Sequence, residues 1–299
     1  MNPTYPYYGE QTICKKQPIA FPPQHQDRQP GLESLMNPRP ISENPEITGS
    51  GKLKGKIALI TGGDSGIGKA AAIAFAKEGA DVAIAYLYEA SDAEVTQRRI
   101  EELGQCCLRI EVDLRHKENC FKAVEHTLRT FGKLDILVNN HGVQYPQKSI
   151  LDITEAQLYQ TFQTNIFPFF YLTQAALPHL KKGAAIINTA SITAYQGNKE
   201  LIDYSSTKGA IVSFTRSLAL SLVDSGIRVN SVAPGPVWTP LIPSSYSADE
   251  VSVFGTDTPF KRAAQPYELA GAYLYLAGPD SSYVTGTCIH VNGGDMVTS

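Results

Sequence analysis

From residue 56 onward, short runs of consecutive apolar, often β-branched residues alternate with longer stretches in which apolar positions return every three or four residues. Runs of the first kind, at 56–61, 81–86, 107–112, 134–139, 185–189, 228–232 and 288–291, predict strands covered on both faces, as a parallel sheet requires. Stretches of the second kind predict helices over about 66–78, 91–103, 117–131, 155–181 and 204–222, with a short one ending at Ala277. The alternation defines an α/β fold: a single-domain, doubly wound parallel sheet of about seven strands, Rossmann-like, with helices on both faces. No boundary divides residues 51–299.

The first 50 residues break this pattern. They hold nine of the 19 prolines and no sustained apolar period. Tyr5, Tyr7, Tyr8, Ile19, Phe21, Leu32 and Leu35 nevertheless make this extension more apolar than a free tail needs. It is expected to lie as an extended strap over the body or a neighbouring subunit, with little chemistry of its own. A second irregular stretch, about 237–265, has a proline-rich start and a polar middle, and is expected to be a mobile substrate lid.

Composition narrows the function. With 26 Lys and Arg against 29 Asp and Glu, the formal charge is −3, and no basic stripe is available for a nucleic-acid partner. The five cysteines, at 14, 106, 107, 120 and 288, form no CxxC pair, so neither a disulfide framework nor a metal site is expected. The N-terminus lacks the basic and apolar regions of a secretory signal, and no run of about 18 apolar residues occurs, which points to a cytoplasmic protein without membrane attachment.

Two motifs carry chemistry. Directly after the first predicted strand, the glycines of TGGDSGIG (61–68) stand at 62, 66 and 68 before a helix. Such a loop lets the backbone approach a pyrophosphate and points free N–H groups of the helix start at it. The alternative use of these glycines is a turn that needs only their backbone angles. The spacing GxxxGxG differs from the commoner GxGxxG. Further on, YSSTK (204–208) puts Tyr204 and Lys208 four apart, on one face of a helix. A phenol with an ordinary pKa near 10 is a poor acid or base at neutral pH, and a nearby ammonium favours the phenolate. Ser191, at the end of the fifth strand, places a hydroxyl where open α/β sheets bind ligands.

The chain therefore resembles the short-chain dehydrogenases/reductases over essentially all of residues 52–299. The matching elements are TGGDSGIG (61–68), NNHG (139–142), Asn165, Ser191, YSSTK (204–208) and PGPVWT (234–239). The resemblance implies an NAD(P)-dependent oxidoreductase that moves a hydride between a nicotinamide and a secondary alcohol, carbonyl or aldehyde. In its terms Tyr204 is the general acid/base, Lys208 lowers its pKa and holds the nicotinamide ribose, Ser191 orients substrate, and Asn165 holds a relay water. The implied cofactor set is Gly62, Ser65, Gly66, Ile67, Gly68, Tyr86, Asp113, Leu114, Asn140, Gly142, Tyr204, Lys208, Pro234, Gly235, Val237 and Thr239. The alternative is a protein that binds the dinucleotide without turnover, as a sensor or scaffold, although such a binder needs no proton chemistry.

Two positions depart from the family pattern. His141 replaces the alanine of NNAG, either as a packing change or as a proton relay. Pro168, three residues past Asn165, should kink its helix and help aim that asparagine. At the end of the second strand, where an acid commonly holds the ribose 2′-OH, stands Tyr86, with Glu89 three further on. Without that acid, the reading leans to NADP over NAD. The substrate pocket is expected to include Ser191, Tyr204, Val143, Ile192, Tyr195, Trp238 and Tyr246. The partner is a small alcohol or carbonyl compound. The aromatic run Phe167, Phe169, Phe170 and Tyr171 is either core or a contact in a homotetramer, the assembly that the resemblance suggests.

Overall fold

The computed structural model describes residues 10–12 and 16–297. Tyr5, Tyr7, Tyr8 and Cys14 lie outside the described residues. Strands β1 (Glu10–Thr12) and β2 (Lys16–Pro18) pair antiparallel. The body then runs β3 (Ile57–Thr61), α1 (Gly66–Lys77), β4 (Asp81–Tyr86), α2 (Ala90–Glu102), β5 (Cys107–Glu111), α3 (Lys117–Phe131), β6 (Ile136–Asn139), α4 (Glu155–Asn165) and α5 (Phe167–Ala176). It continues with β7 (Ala185–Thr189), α6 (Thr193–Gln196), α7 (Ile202–Leu222), β8 (Arg228–Pro234), α8 (Ala248–Ser252), α9 (Pro266–Ala277) and β9 (Cys288–Val291).

Strands β3 to β9 form one seven-stranded sheet in the order β5-β4-β3-β6-β7-β8-β9, every neighbouring pair parallel. The period of two within each strand feeds two cores. Ala58, Ile60, Val82 and Ile84 pack with Phe75 of α1, Ile100 of α2 and Tyr273 of α9. On the opposite face, Leu59, Ala83 and Ala85 pack with Ala123 of α3, Leu172 of α5 and Ala219 of α7. The order reverses between β3 and β6, so the carboxyl ends of these strands open a crevice, the usual ligand position of such a sheet.

The single helix expected over 155–181 is two helices. The chain leaves helical geometry at Ile166 (φ −132°, ψ −41°), and Pro168 sits in the first turn of α5. There the missing proline N–H goes unused, whereas in a continuous helix its ring would clash with the carbonyl four residues back. The break leaves Asn165 as the last residue of α4, fully buried.

The extension crosses the body as a strap. Phe21 is fully buried and stacks on Trp238 at 3.7 Å between centroids and 8° between planes. Met36, Ile242, Val251 and Ala263 complete a small core between the strap and the 237–265 segment. Backbone and side-chain bonds seam the two: Gln26 N–H to the Pro243 carbonyl (2.8 Å), Trp238 Nε1 to the Pro38 carbonyl (2.9 Å), and Ile41 N–H to Gln265 Oε1 (2.9 Å). Farther along, Glu43 pairs with both Arg99 and Lys77, whose hydrogen bonds and charge hold its carboxyl down at about 2.

Candidate active site

The crevice is a cavity of about 750 Å³ that reaches from the glycine loop, past the ends of β4, β6 and β7, to the 237–265 segment. At one end Gly62 and Gly66 take φ of +63° and +52°, the left-handed region that glycine adopts without strain. A Cβ on Gly68 would lie 1.9 Å from the Gly62 carbonyl oxygen, so only glycine lets α1 start against the loop. Gly68 thus shapes the loop from behind, while Gly62, Ser65, Gly66 and Ile67 face the cavity. This glycine-floored end, opening onto a helix N-terminus, fits a dinucleotide pyrophosphate. Asn140 steadies it, donating from Nδ2 to the Thr61 carbonyl (3.1 Å).

The remaining expected cofactor positions Tyr86, Asp113, Leu114, Gly142, Tyr204, Lys208, Pro234, Gly235, Val237 and Thr239 all line the same cavity. Tyr86 stands where an acid was absent from the sequence. Nearby, Glu89 Oε2 is occupied by the N–H groups of Leu87 and Tyr88 (both 3.0 Å). Asp64, within the glycine loop, is pushed up to about 7 by burial and by the charge of Glu89, so it is only partly ionised at neutral pH.

At the other end, Ser191 and Tyr204 hydrogen-bond each other and both face the cavity. Ser191 Oγ accepts from the N–H (3.2 Å) and hydroxyl (3.1 Å) of Thr193, which fixes its direction. Lys208, buried on α7, donates to the Thr189 carbonyl (2.9 Å) and lies 5.4 Å from the Tyr204 ring centre. Burial pushes the lysine down to about 7 and the phenol up to about 12. The spacing of Tyr204 and Lys208 shows the ammonium but not the water that burial removes. Desolvation outweighs attraction, and the Tyr204 phenol holds its proton at neutral pH.

Asn165 lies one layer behind the cavity wall. Its Oδ1 accepts from the Val143 N–H and its Nδ2 donates to the Val143 carbonyl, both at 2.8 Å. Gly142 leaves the gap where Asn165 and Lys208 converge: a Cβ there would stand 3.4 Å from Asn165 Oδ1 and 3.7 Å from Lys208 Nζ. His141 receives or gives a hydrogen bond with Thr61 Oγ1 at 2.7 Å through Nδ1, packs near Phe169, and leaves Nε2 buried without a partner. Burial, with help from Lys208, lowers its pKa to about 4, so the ring is neutral near pH 7.

Val143, Ile192 and Tyr246 line the substrate end as expected. Trp238 and Tyr195 do not. Trp238 is fully enclosed under Phe21, and Tyr195 turns edge-on to His290 at 4.5 Å, behind the wall that Ile192 and Thr193 present. Unforeseen in the wall are Gln29, Pro30 and Gly31 of the strap, together with Gln144, Gln160, Gln196 and Asn198. The strap also sets the Glu33 carboxylate on the glycine loop, where it accepts from the Gly66 N–H (2.8 Å) and from Lys69 (2.6 Å). At residues 29–33 the strap thus reaches the cavity and the glycine loop. Among the described residues, no group of three or more His, Cys, Asp or Glu is placed to hold a metal ion, and no helix is long and apolar enough to cross a membrane.

A doubly wound sheet with a glycine-floored crevice running to a Ser–Tyr–Lys cluster defines a dinucleotide-dependent oxidoreductase. The family profile described as enoyl-(acyl carrier protein) reductase matches residues 62–295. An oxidoreductase of Bacillus subtilis (strain 168), named uncharacterized oxidoreductase YhdF, is 63% identical over 277 residues, covering 93% of this chain and 96% of its own. Glucose and ribitol dehydrogenase of Daucus carota is 50% identical over 283 residues, 93% of this chain and 97% of that one. A short-chain dehydrogenase of Burkholderia cenocepacia J2315, solved with NADP, superposes with a TM-score of 0.76 at 32% identity, covering 82% of this chain and 99% of its own. The chain belongs to the short-chain dehydrogenase/reductase family and is an NAD(P)-dependent oxidoreductase.

Proposed function

We propose that the chain interconverts a small, polar carbonyl compound, of the sugar or polyol class, with its alcohol. The observation that carries this is that the cavity lined by Ser191 and Tyr204 also presents the amides of Gln160, Gln196 and Asn198 and the hydroxyl of Thr193, set among apolar side chains such as Leu201, Leu241 and Ile242. Such a wall favours a substrate able to pair those groups and disfavours an apolar one that leaves them unpaired. The name of the carrot relative agrees with this reading.

Ser191 holds the reacting oxygen and Tyr204 exchanges its proton. Held near 12, the phenol is a loaded acid at neutral pH, which suits reduction. In the oxidative direction a protonated Lys208 beside it favours the phenolate. Asn165 keeps Val143 and the chain below it in register. The bound dinucleotide supplies the carbon that gives or takes hydride. NADP is the preferred form, since Tyr86 replaces the ribose-binding acid and Glu89 is tied into its own turn. The assembly is a cytoplasmic homotetramer. Exposed Phe167 and Phe170, the latter 4.5 Å from Phe214, give α5 and α7 an apolar outer face that a partner subunit would cover. Light scattering tests the assembly.

Turnover of a panel of sugars, polyols, aldehydes and apolar ketones, followed by NAD(P)H absorbance, tests the substrate class; faster turnover of the apolar ketones refutes it. Tyr204→Phe should lower kcat by roughly 10³-fold or more while cofactor still binds. Cofactor binding without turnover of any compound by the native chain would instead favour a sensor or scaffold.

A further inference from the structure

The strap residue Gln29 meets the active site in a specific way. Its Oε1 accepts from the Gln144 N–H (3.1 Å) and its Nε2 donates to the Gln144 carbonyl. One residue earlier, the Asn165 amide makes the same two-bond pairing with Val143 (2.8 and 2.8 Å). Successive residues of extended chain turn their N–H and C=O to opposite sides. The segment 143–144 is therefore gripped from one side by α4 and from the other by the strap, each amide imitating a neighbouring strand.

We propose that Gln29 is a positioning residue of the active site, the counterpart of Asn165 across the chain that follows β6. Gln144 is almost fully buried, and its side chain bonds Tyr246, which faces the cavity with Tyr204. Val143 and Gln144 are both wall residues at the substrate end. The strap is seated tightly here: a Cβ on Gly31 would lie 2.6 Å from the Pro240 carbonyl oxygen. Removing the Gln29 amide strips the N–H partner from Gln144, leaves its carbonyl only the longer bond from Ser245 Oγ (3.4 Å), and lets this wall shift relative to Ser191 and Tyr204. The neighbouring strap residues stay anchored by the Tyr88 hydroxyl on the Pro30 carbonyl and by the Asp92 carboxylate on the Glu33 N–H. The inference rests on Tyr204 and Ser191 being the reacting groups. An active Tyr204→Phe would remove that premise, whereas the Gln29 variants test the clamp itself.

Gln29→Ala is expected to lower kcat/KM for the carbonyl or alcohol substrate by about tenfold or more, because small displacements at a reacting centre are costly, with cofactor Kd within about twofold of native. Gln29→Glu distinguishes clamp from ballast. As a carboxylate it sets an oxygen against the Gln144 carbonyl, but once protonated it both donates and accepts as the amide does. Its activity relative to the native enzyme should recover as pH falls toward about 4. Leu35→Ala, on an exposed strap position, should leave all constants unchanged. Native-like kcat and KM in Gln29→Ala, a constant activity ratio for Gln29→Glu across pH, or loss of cofactor affinity in step with substrate turnover would each overturn the proposal.

Discussion

Phe21→Ala tests whether the strap is part of the folded unit. The ring is fully buried and stacked at 3.7 Å on Trp238, with Met36, Ile242 and Val251 around it. Truncating a buried phenylalanine removes transfer energy and leaves a cavity, together about 3–5 kcal/mol, and the lost ring pairing falls within that range. For 299 residues, with an unfolding entropy of about 2.1 cal/mol/K each, a loss of about 4 kcal/mol lowers Tm by about 6 °C. Trp238 is the only tryptophan of the chain and lies directly beneath the ring, so its emission reports strap detachment. Urea titrations of the variant should show the emission shifting to the red at lower denaturant than the far-ultraviolet circular dichroism is lost, while the native chain shows the two together. A stability loss below about 1 kcal/mol with unchanged emission would refute the reasoning, because the strap core would then contribute no cooperative stability.

Two further predictions concern charge. Folded His141 gives up its proton near 4 and the unfolded chain near 6.5, so between those values the unfolded chain binds more protons and stability falls as the pH falls. Comparing denaturant midpoints at pH 7 and pH 4, native protein should lose about 3 kcal/mol more than His141→Ala, and equal losses would show that the ring titrates freely. Asp64→Asn removes a buried acid beside Tyr86 and should raise the ratio of kcat/KM with NADP to that with NAD by several-fold, roughly the effect of one like charge at a partly shielded site; an unchanged ratio would place that carboxyl outside the field of the 2′ position.

The body was legible because its signals are local. Runs such as 57–61 and 81–86 are buried on both faces and could be read as strands from composition alone, and the glycine at 68 is required by a contact six residues away. Pro168 announced a disturbance in the 155–181 helix, and the break fell at Ile166, where the proline ring forbids continuation. What escaped depends on distant partners. Trp238 and Tyr195 have the same loop character whether they face a cavity or a neighbour, and only the arrival of Phe21 and His290 decides it. Gln29 sits in a stretch with no apolar period, and its partner Gln144 is 115 residues on. For Tyr204, the sequence shows the charge four residues away but not the water that folding removes.

The seam between the strap and the 237–265 segment also has a consequence for biosynthesis. Pro38 and Ile41 meet Trp238 and Gln265, at separations of 200 and 224 residues. The strap therefore leaves the ribosome about 200 residues before the segment that gives its fully buried aromatic cover. Contacts so remote in sequence close late, after the sheet has formed from its neighbouring βα units. Until then Phe21 and Trp238 are both exposed, and the wall held by Gln29 is unfinished. A nascent chain halted before residue 237 would have its glycine loop and its tyrosine but no roof, so competence for chemistry is the final property this polypeptide acquires.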